Sequence, residues 1–217
     1  MDFKTKRSTP IAEIKRPAGV LENPNFQRWF SGSKVVDEQG KPLIVYHGGT
    51  FDAERDPIFR KGRSFGFFFS TDRHLAENYG KPFGEKPKVT EVCLRLRNPF
   101  EPAKWEHVYG APWVQKWIDF WRKEEGWIDR DSGAEMDDDQ VLQMISDTRL
   151  YHYEENGLKL SERWDDFLRT AADHHDGFMG DDPTDRAFIL VAFESNQIKS
   201  PSLNSGEFSL KDPSIDR

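Results

Sequence analysis

The sequence has a single cysteine, Cys93, so it can build neither a disulfide framework nor a cysteine-based zinc site. No metal site is expected. It also lacks any apolar run near the roughly 20 residues that a membrane-spanning helix needs. Its longest run, Ala187 to Phe193, has seven. It has no excess of basic residues: 31 Lys and Arg stand against 38 Asp and Glu, for a net charge of −7 and a pI of about 5.4. Non-specific binding to a nucleic-acid backbone needs a positive field, so that class is disfavoured, while a local basic groove stays open. The opening Met1-Asp-Phe-Lys-Thr-Lys-Arg7 has no apolar core of the kind a secretory signal carries, so a cytoplasmic protein, or one delivered by another machine, is expected. No internal repeat is present, which removes solenoids and propellers.

Aromatic residues are what the chain does have. Its 17 Phe, 7 Trp and 5 Tyr separate it from disordered sequences, even at 32% charged residues. A chain of 217 residues can bury a full core without staples, and aromatic burial must carry much of that core.

Residues 1–22 read as a solvated tail, with Lys4, Lys6, Arg7, Lys15 and Arg16 among Ser, Thr and Pro. Residues 23–217 read as one domain. Phe26, Trp29 and Phe30 recur at helical spacing. Lys34–Asp37 and Leu43–Tyr46 read as two strands of a hairpin turning at Gly40. The second strand is expected to stop at His47, and a polar, glycine-rich segment follows to Ser64. Gly66–Ser70 is the next strand. Asp72 caps a helix from Arg73 to Tyr79, closed by Gly80. Lys88–Arg97 alternates as a strand, with Val92, Leu94 and Leu96 on one face.

Residues 101–175 change in composition and read as a helical insertion. Trp113, Trp117 and Trp121, with Val114 and Ile118, make one apolar helix face, which reads as packing. Gln140–Ser146 and Leu160–Ala172 are further helices. Asp137, Asp138 and Asp139 precede the first of these, where acids suit the positive end of the dipole. Ala187–Phe193 reads as a buried final strand, and the segment from Pro201 as loop.

Three segments have chemical potential. Tyr46-His47-Gly48-Gly49-Thr50 sets an imidazole beside backbone that lacks Cβ atoms and can approach a flat polar ligand. A lone His is equally at home as a structural hydrogen-bonder. Gly66-Phe67-Phe68-Phe69-Ser70-Thr71-Asp72, with Tyr79 on the following helix, offers two aromatics that could sandwich a planar cation. Ordinary core packing is the alternative, and for Phe67 and Phe68 it is preferred. Phe188–Phe193 leads into Glu194-Ser-Asn-Gln197-Ile-Lys-Ser200, a polar strand end.

In this order, the three resemble the diphtheria-toxin and poly(ADP-ribose) polymerase side of the ADP-ribosyltransferases. Asn25–Asp37, Pro42-Leu-Ile-Val-Tyr-His-Gly48, Gly66–Tyr79, Asn98-Pro-Phe100 and Gln197-Ile-Lys-Ser200 are similar to ADP-ribosyltransferase domains of phage and mobile-element polyvalent proteins. So are Asn204, Gly206, Phe208 and Asp212-Pro213-Ser-Ile215. The resemblance covers about residues 23–100 and 176–216 and leaves the helical block unexplained.

It implies an α+β fold, a split β-sheet core with NAD⁺ as substrate in the cleft, and a helical insertion. It also implies roles. His47 would hydrogen-bond a ribose of NAD⁺, and the Gly48 backbone would clamp the nicotinamide amide. Phe69 and Tyr79 would stack on the nicotinamide, with Ser70 close by. The reaction implied is transfer of ADP-ribose to a macromolecule with release of nicotinamide, inside a bacterial cell, in phage–host conflict. A protein acceptor is favoured over a nucleic acid by the acidic pI. The basic run Arg55, Arg60, Lys61 and Arg63 reads as a solvated loop or as a guide for phosphates.

Three positions depart from the family pattern. The Glu usually found at the start of the last strand falls near Ile189, which is not an acid. Asp185 and Glu194 are the nearest acids, Gln197 is a polar alternative, and an acid from the helical block is another. Phe69 stands where the classical triad carries Tyr, and Gly49 where Thr is commoner. Two further functions therefore stay open: an NAD glycohydrolase with water as acceptor, and a degenerate module that binds NAD⁺ or a partner without turnover. Oligomeric state is not legible.

Overall fold

The fold is described from a computed structural model, for residues 19–62, 64–81, 88–129, 132–146, 160–181 and 188–217. Most of the tail expected over residues 1–22 lies outside the described residues.

Helix α1, Pro24–Phe30, starts where Asn23 accepts a bond from the Asn25 amide and Pro24 supplies a fixed φ. Its apolar face, Phe26, Trp29 and Phe30, is buried against Ile44, Cys93 and Phe208. The expected hairpin is present in reduced form, as a single bridge between Val36 and Pro42.

Among the described residues six strands follow: β1 Val45–Gly49, β2 Phe67–Ser70, β3 Lys88–Leu94, β4 Gly177–Asp181, β5 Phe188–Ala192 and β6 Ile198–Lys199. They lie in the order β4-β5-β2-β1-β3-β6, and every neighbouring pair is antiparallel. The ladders differ in length. β1 and β3 are registered at five positions and β2 and β5 at four, while β1 and β2 meet only at Tyr46↔Ser70. The sheet is therefore nearly divided between β1 and β2. This is the mixed, split-sheet α+β architecture that the sequence pointed to.

Helix α2, Arg73–Gly80, joins β2 to β3. Asp72 caps it by accepting bonds from the His74 and Leu75 amides. Among the described residues, four helices lie between β3 and β4: α3 Trp105–Val108, α4 Pro112–Glu124, α5 Asp138–Ser146 and α6 Leu160–Ala171. The tryptophan face of α4 is internal, as its spacing required. Val114, Trp117 and Ile118 are buried, and Asp166 of α6 accepts 2.9 Å bonds from the indoles of both Trp117 and Trp121. Asp137 and Gln140 cap the start of α5 reciprocally.

Alternation on β2 divides the core. Phe67 and Phe69 pack with Val45, Val92, Leu94, Leu190 and Ala192 on one face. Phe68 packs on the other, where Phe178, Val191 and Phe193 meet the helices.

The structure corrects several sequence boundaries. β1 does not stop at His47 but runs on through Gly49, because all five of its residues pair with β3. β3 ends at Leu94, although Leu96 remains fully buried. β4 and β6 were not expected. Gly177-Phe-Met-Gly-Asp181 has little β-propensity, and pairing with all of β5 sets its conformation. The C-terminal segment is loop, but packed loop: Phe208 and Ile215 are buried.

Candidate active site

His47 sits where the sheet divides. Its Nδ1 lies 2.8 Å from the carbonyl oxygen of Phe68, across the opening between β1 and β2. A carbonyl only accepts, so Nδ1 carries the proton and Nε2 keeps its lone pair. Burial pulls the imidazole pKa below 6.5, against the raising effect of that carbonyl. The ring is therefore neutral near pH 7 and presents an acceptor. Nothing crowds Nε2 from Gly49, whose absent Cβ would lie 3.4 Å away.

Gly48 is forced by packing. A Cβ there would stand 1.6 Å from the carbonyl oxygen of Ala76, so only glycine lets α2 lie on β1. Ser70 is buried, and its Oγ accepts the Asp72 amide at 3.0 Å, which fixes the turn from β2 into α2. Tyr79 is on the last turn of α2 and is 38% exposed. Phe69 is only 3% exposed and lies inside the core, with its ring centroid 5.6 Å from that of His47.

The register shows what stands at the position where the family carries its acid. Ile189 pairs with Ser70 on one side and Gly180 on the other. Thr71 ties the same end of β5, donating its amide to Phe188 O at 3.1 Å and accepting the Phe188 amide on Oγ1 at 3.3 Å. Asp185 lies outside the described residues, three positions before Phe188 in the chain. Asp181, which sequence reasoning did not single out, pairs with Phe188. Glu194 is at the other end of β5, beyond Ala192 and its partner Phe67. There it accepts a 2.8 Å bond from Lys61. Gln197 is committed to structure, donating to the Asp176 carbonyl at 2.6 Å and accepting the Glu194 amide at 2.7 Å.

Of the basic run, Arg60 is paired with Asp56 and Lys61 with Glu194; Arg63 lies outside the described residues. Two further aromatics enter the site. Phe59 and Phe51 approach the His47 ring at 5.0 and 6.4 Å. The only sequence signal for them was two Phe in an otherwise polar loop. No group of three His, Cys, Asp or Glu side chains capable of holding a metal occurs among the described residues.

His47, Gly48, Phe69 and Ser70 thus converge on the division of the sheet, with Tyr79 on the helix that packs there. Comparison with known sequences adds one match: the family described as ADP-Ribosyltransferase in polyvalent proteins, over residues 37–208. No curated protein and no solved structure matches.

Proposed function

Because the chain belongs to the ADP-ribosyltransferase family of polyvalent proteins, we propose that it moves ADP-ribose from NAD⁺ to a macromolecular acceptor and releases nicotinamide. The observation that carries this reading is the His47–Phe68 bond across the division of the sheet. It leaves a neutral imidazole with Nε2 as acceptor, suited to a ribose hydroxyl. The Gly48 backbone holds the nicotinamide amide, with Ser70 beside it. Tyr79 provides an aromatic face for the cationic ring, and Phe69, buried as it stands, provides a second once it is uncovered.

In the reaction the bond between C1′ and the nicotinamide nitrogen breaks, and its electron pair leaves with nicotinamide. The ribosyl cation is stabilised by a nearby acid, and a nucleophile of the acceptor closes on C1′. We assign the acid to Asp185, because it precedes by three positions in the chain Phe188, which Thr71 holds beside Ser70; Glu194 is the reserve candidate. The setting we infer from the family is the cytoplasm of a bacterial cell, with a toxin role in phage conflict. A protein acceptor suits the net charge of −7 better than a nucleic acid does. Ile189, opposite Ser70, favours one rival, a binding module without turnover.

Incubation with labelled NAD⁺ and bacterial lysate tests the reading. Label passing to macromolecules, and lost in His47→Ala, Tyr79→Ala and Asp185→Asn, is the expected result. Nicotinamide release without labelling makes the protein a glycohydrolase. No turnover with retained NAD⁺ binding leaves the binding module.

A further inference from the structure

Phe59 fills space between two of the residues assigned above to NAD⁺. Its ring centroid is 5.0 Å from His47, at 87° to the imidazole, and 5.7 Å from Phe69, at 62°. Phe51 stacks on Phe59 at 3.9 Å with 12° between the planes. Phe59 is 4% exposed and Phe69 3%. A planar heterocycle stacks only on a ring that has a free face, and at 3% exposure Phe69 offers none. Something must therefore move before Phe69 can bind a ligand.

The strands are poor candidates for that movement. β2 is held to β5 by four ladder pairs and carries Phe67 and Phe69 itself. Phe51 and Phe59 come from the connection between β1 and β2, which belongs to no ladder beyond a bridge between Ile58 and Ser214. The connection is fastened at separate points. Asp52 pairs with Lys88 at the start of β3. The Ile215 amide donates to the Pro57 carbonyl at 2.8 Å. Lys61 pairs with Glu194. One of the fastenings, the Ile58–Ser214 bridge with its Ile215–Pro57 bond, uses the C-terminal segment. That segment is itself anchored by Lys199, whose Nζ donates to the carbonyls of Asp212 at 2.8 Å and Ser214 at 2.5 Å.

We infer that the β1–β2 connection is a plug: Phe51 and Phe59 close the nicotinamide end of the cleft, the C-terminal segment straps them down, and NAD⁺ enters when the connection lifts. This rests on the assignment of His47 and Phe69 to NAD⁺. The apparent affinity for NAD⁺ is then the intrinsic affinity reduced by the fraction of molecules with the plug open.

A reversible lock tests it. Ile58→Cys with Ser214→Cys joins two bridge partners, whose close approach suits a disulfide. Cys93 is buried and does not compete. The variant is titrated with NAD⁺ in its reduced and oxidised forms, beside the wild type. The expected result is wild-type affinity when reduced and an affinity lower by about tenfold or more when oxidised. Equal affinity in the two forms overturns the plug and leaves the NAD⁺ site standing. A wild type that binds no NAD⁺, unchanged by His47→Ala, overturns the site assignment, and the plug with it. Hydrogen exchange on the wild type gives a second reading that needs no variant. Saturating NAD⁺ is expected to speed exchange across residues 51–61, and unchanged or slower exchange there overturns the plug.

Discussion

His47 Nδ1 stands 2.8 Å from the Phe68 carbonyl oxygen, and this bond spans β1 and β2 where the two strands share a single registered pair. It fixes the imidazole tautomer and sets a pH dependence. Burial holds the native pKa below 6.5, so the working neutral form persists at and above that pH. NAD⁺ turnover is expected to be level from about pH 8 to 6.5 and to fall below that range. Stability moves in the same direction. The unfolded chain takes up the proton first, so stability falls as pH drops from 6.5 towards the native value. His47→Gln keeps a polar side chain but loses the carbonyl-fixed ring. It should cost about 10–100-fold in kcat/KM, the loss expected of one hydrogen bond in a fixed site. A pH–rate profile beside a pH–stability series checks both effects.

Gly48 is required by α2, whatever it does for a ligand. A Cβ would overlap the Ala76 carbonyl oxygen at 1.6 Å, and the obstacle is helix backbone, which cannot rotate away. Gly48→Ala should destabilise by about 3 kcal/mol, at the upper end for overpacking. For a chain of this size that lowers Tm by about 6–12 °C. Gly62→Ala is the control. Nothing lies within 4 Å of its added Cβ, and the change should stay within about 0.5 kcal/mol. Thermal unfolding of the two variants decides the matter.

The sequence showed some of this site and hid the rest, for physical reasons. The aromatic spacing of α1 and α4, the Asp72 cap and the alternation of β3 are local signals, and each element formed where those signals lay. β4 and β6 have no local signal; their extended form comes from partners distant in the chain. His47 and Gly48 stood out because a glycine pair beside a histidine marks close approach of backbone. Gly48 proved to face α2, a contact that no short window contains. Phe69 read as one face of an aromatic sandwich because Phe59, which packs on it, arrives from a loop without periodicity.

Lys199 is fully buried, and desolvation pushes its ammonium down to about 8, against the pull of Asp212 and Asp216. Between about pH 8 and 10.5 the native protein holds fewer protons here than the unfolded chain does, so stability from this group rises with pH across that window. Lys199→Met leaves the carbonyls of Asp212 and Ser214 without their donor. That should cost about 2 kcal/mol at pH 7. It should also remove the rise, so the gap between wild type and variant widens as pH increases. Denaturant midpoints at pH 7 and pH 10 give the comparison.

The helices between β3 and β4 share one core with the sheet, and this bears on any attempt to remove them. Phe178 of β4 is 1% exposed and packs edge-on against Trp164 of α6 at 5.2 Å. Phe167 of α6 reaches Phe100, Trp113 and Trp117 within 5.4 Å. Phe178→Ala should therefore cost about 4 kcal/mol, as a large buried ring removed from a packed core. Loss of hydrogen-exchange protection should reach α6 as well as β4, because the cavity opens between them. Phe120→Ala, on the outer side of α4 and 52% exposed, should change stability by no more than about 0.5 kcal/mol. If Phe178→Ala loosens β4 alone, the helices are an appendage with their own core. If it loosens both, deletion of residues 105–170 exposes Val191 and Phe193 to water, and the remaining sheet is not expected to fold. Point substitutions on the outer face of α4 then become the usable way to ask what the helices contribute to acceptor choice.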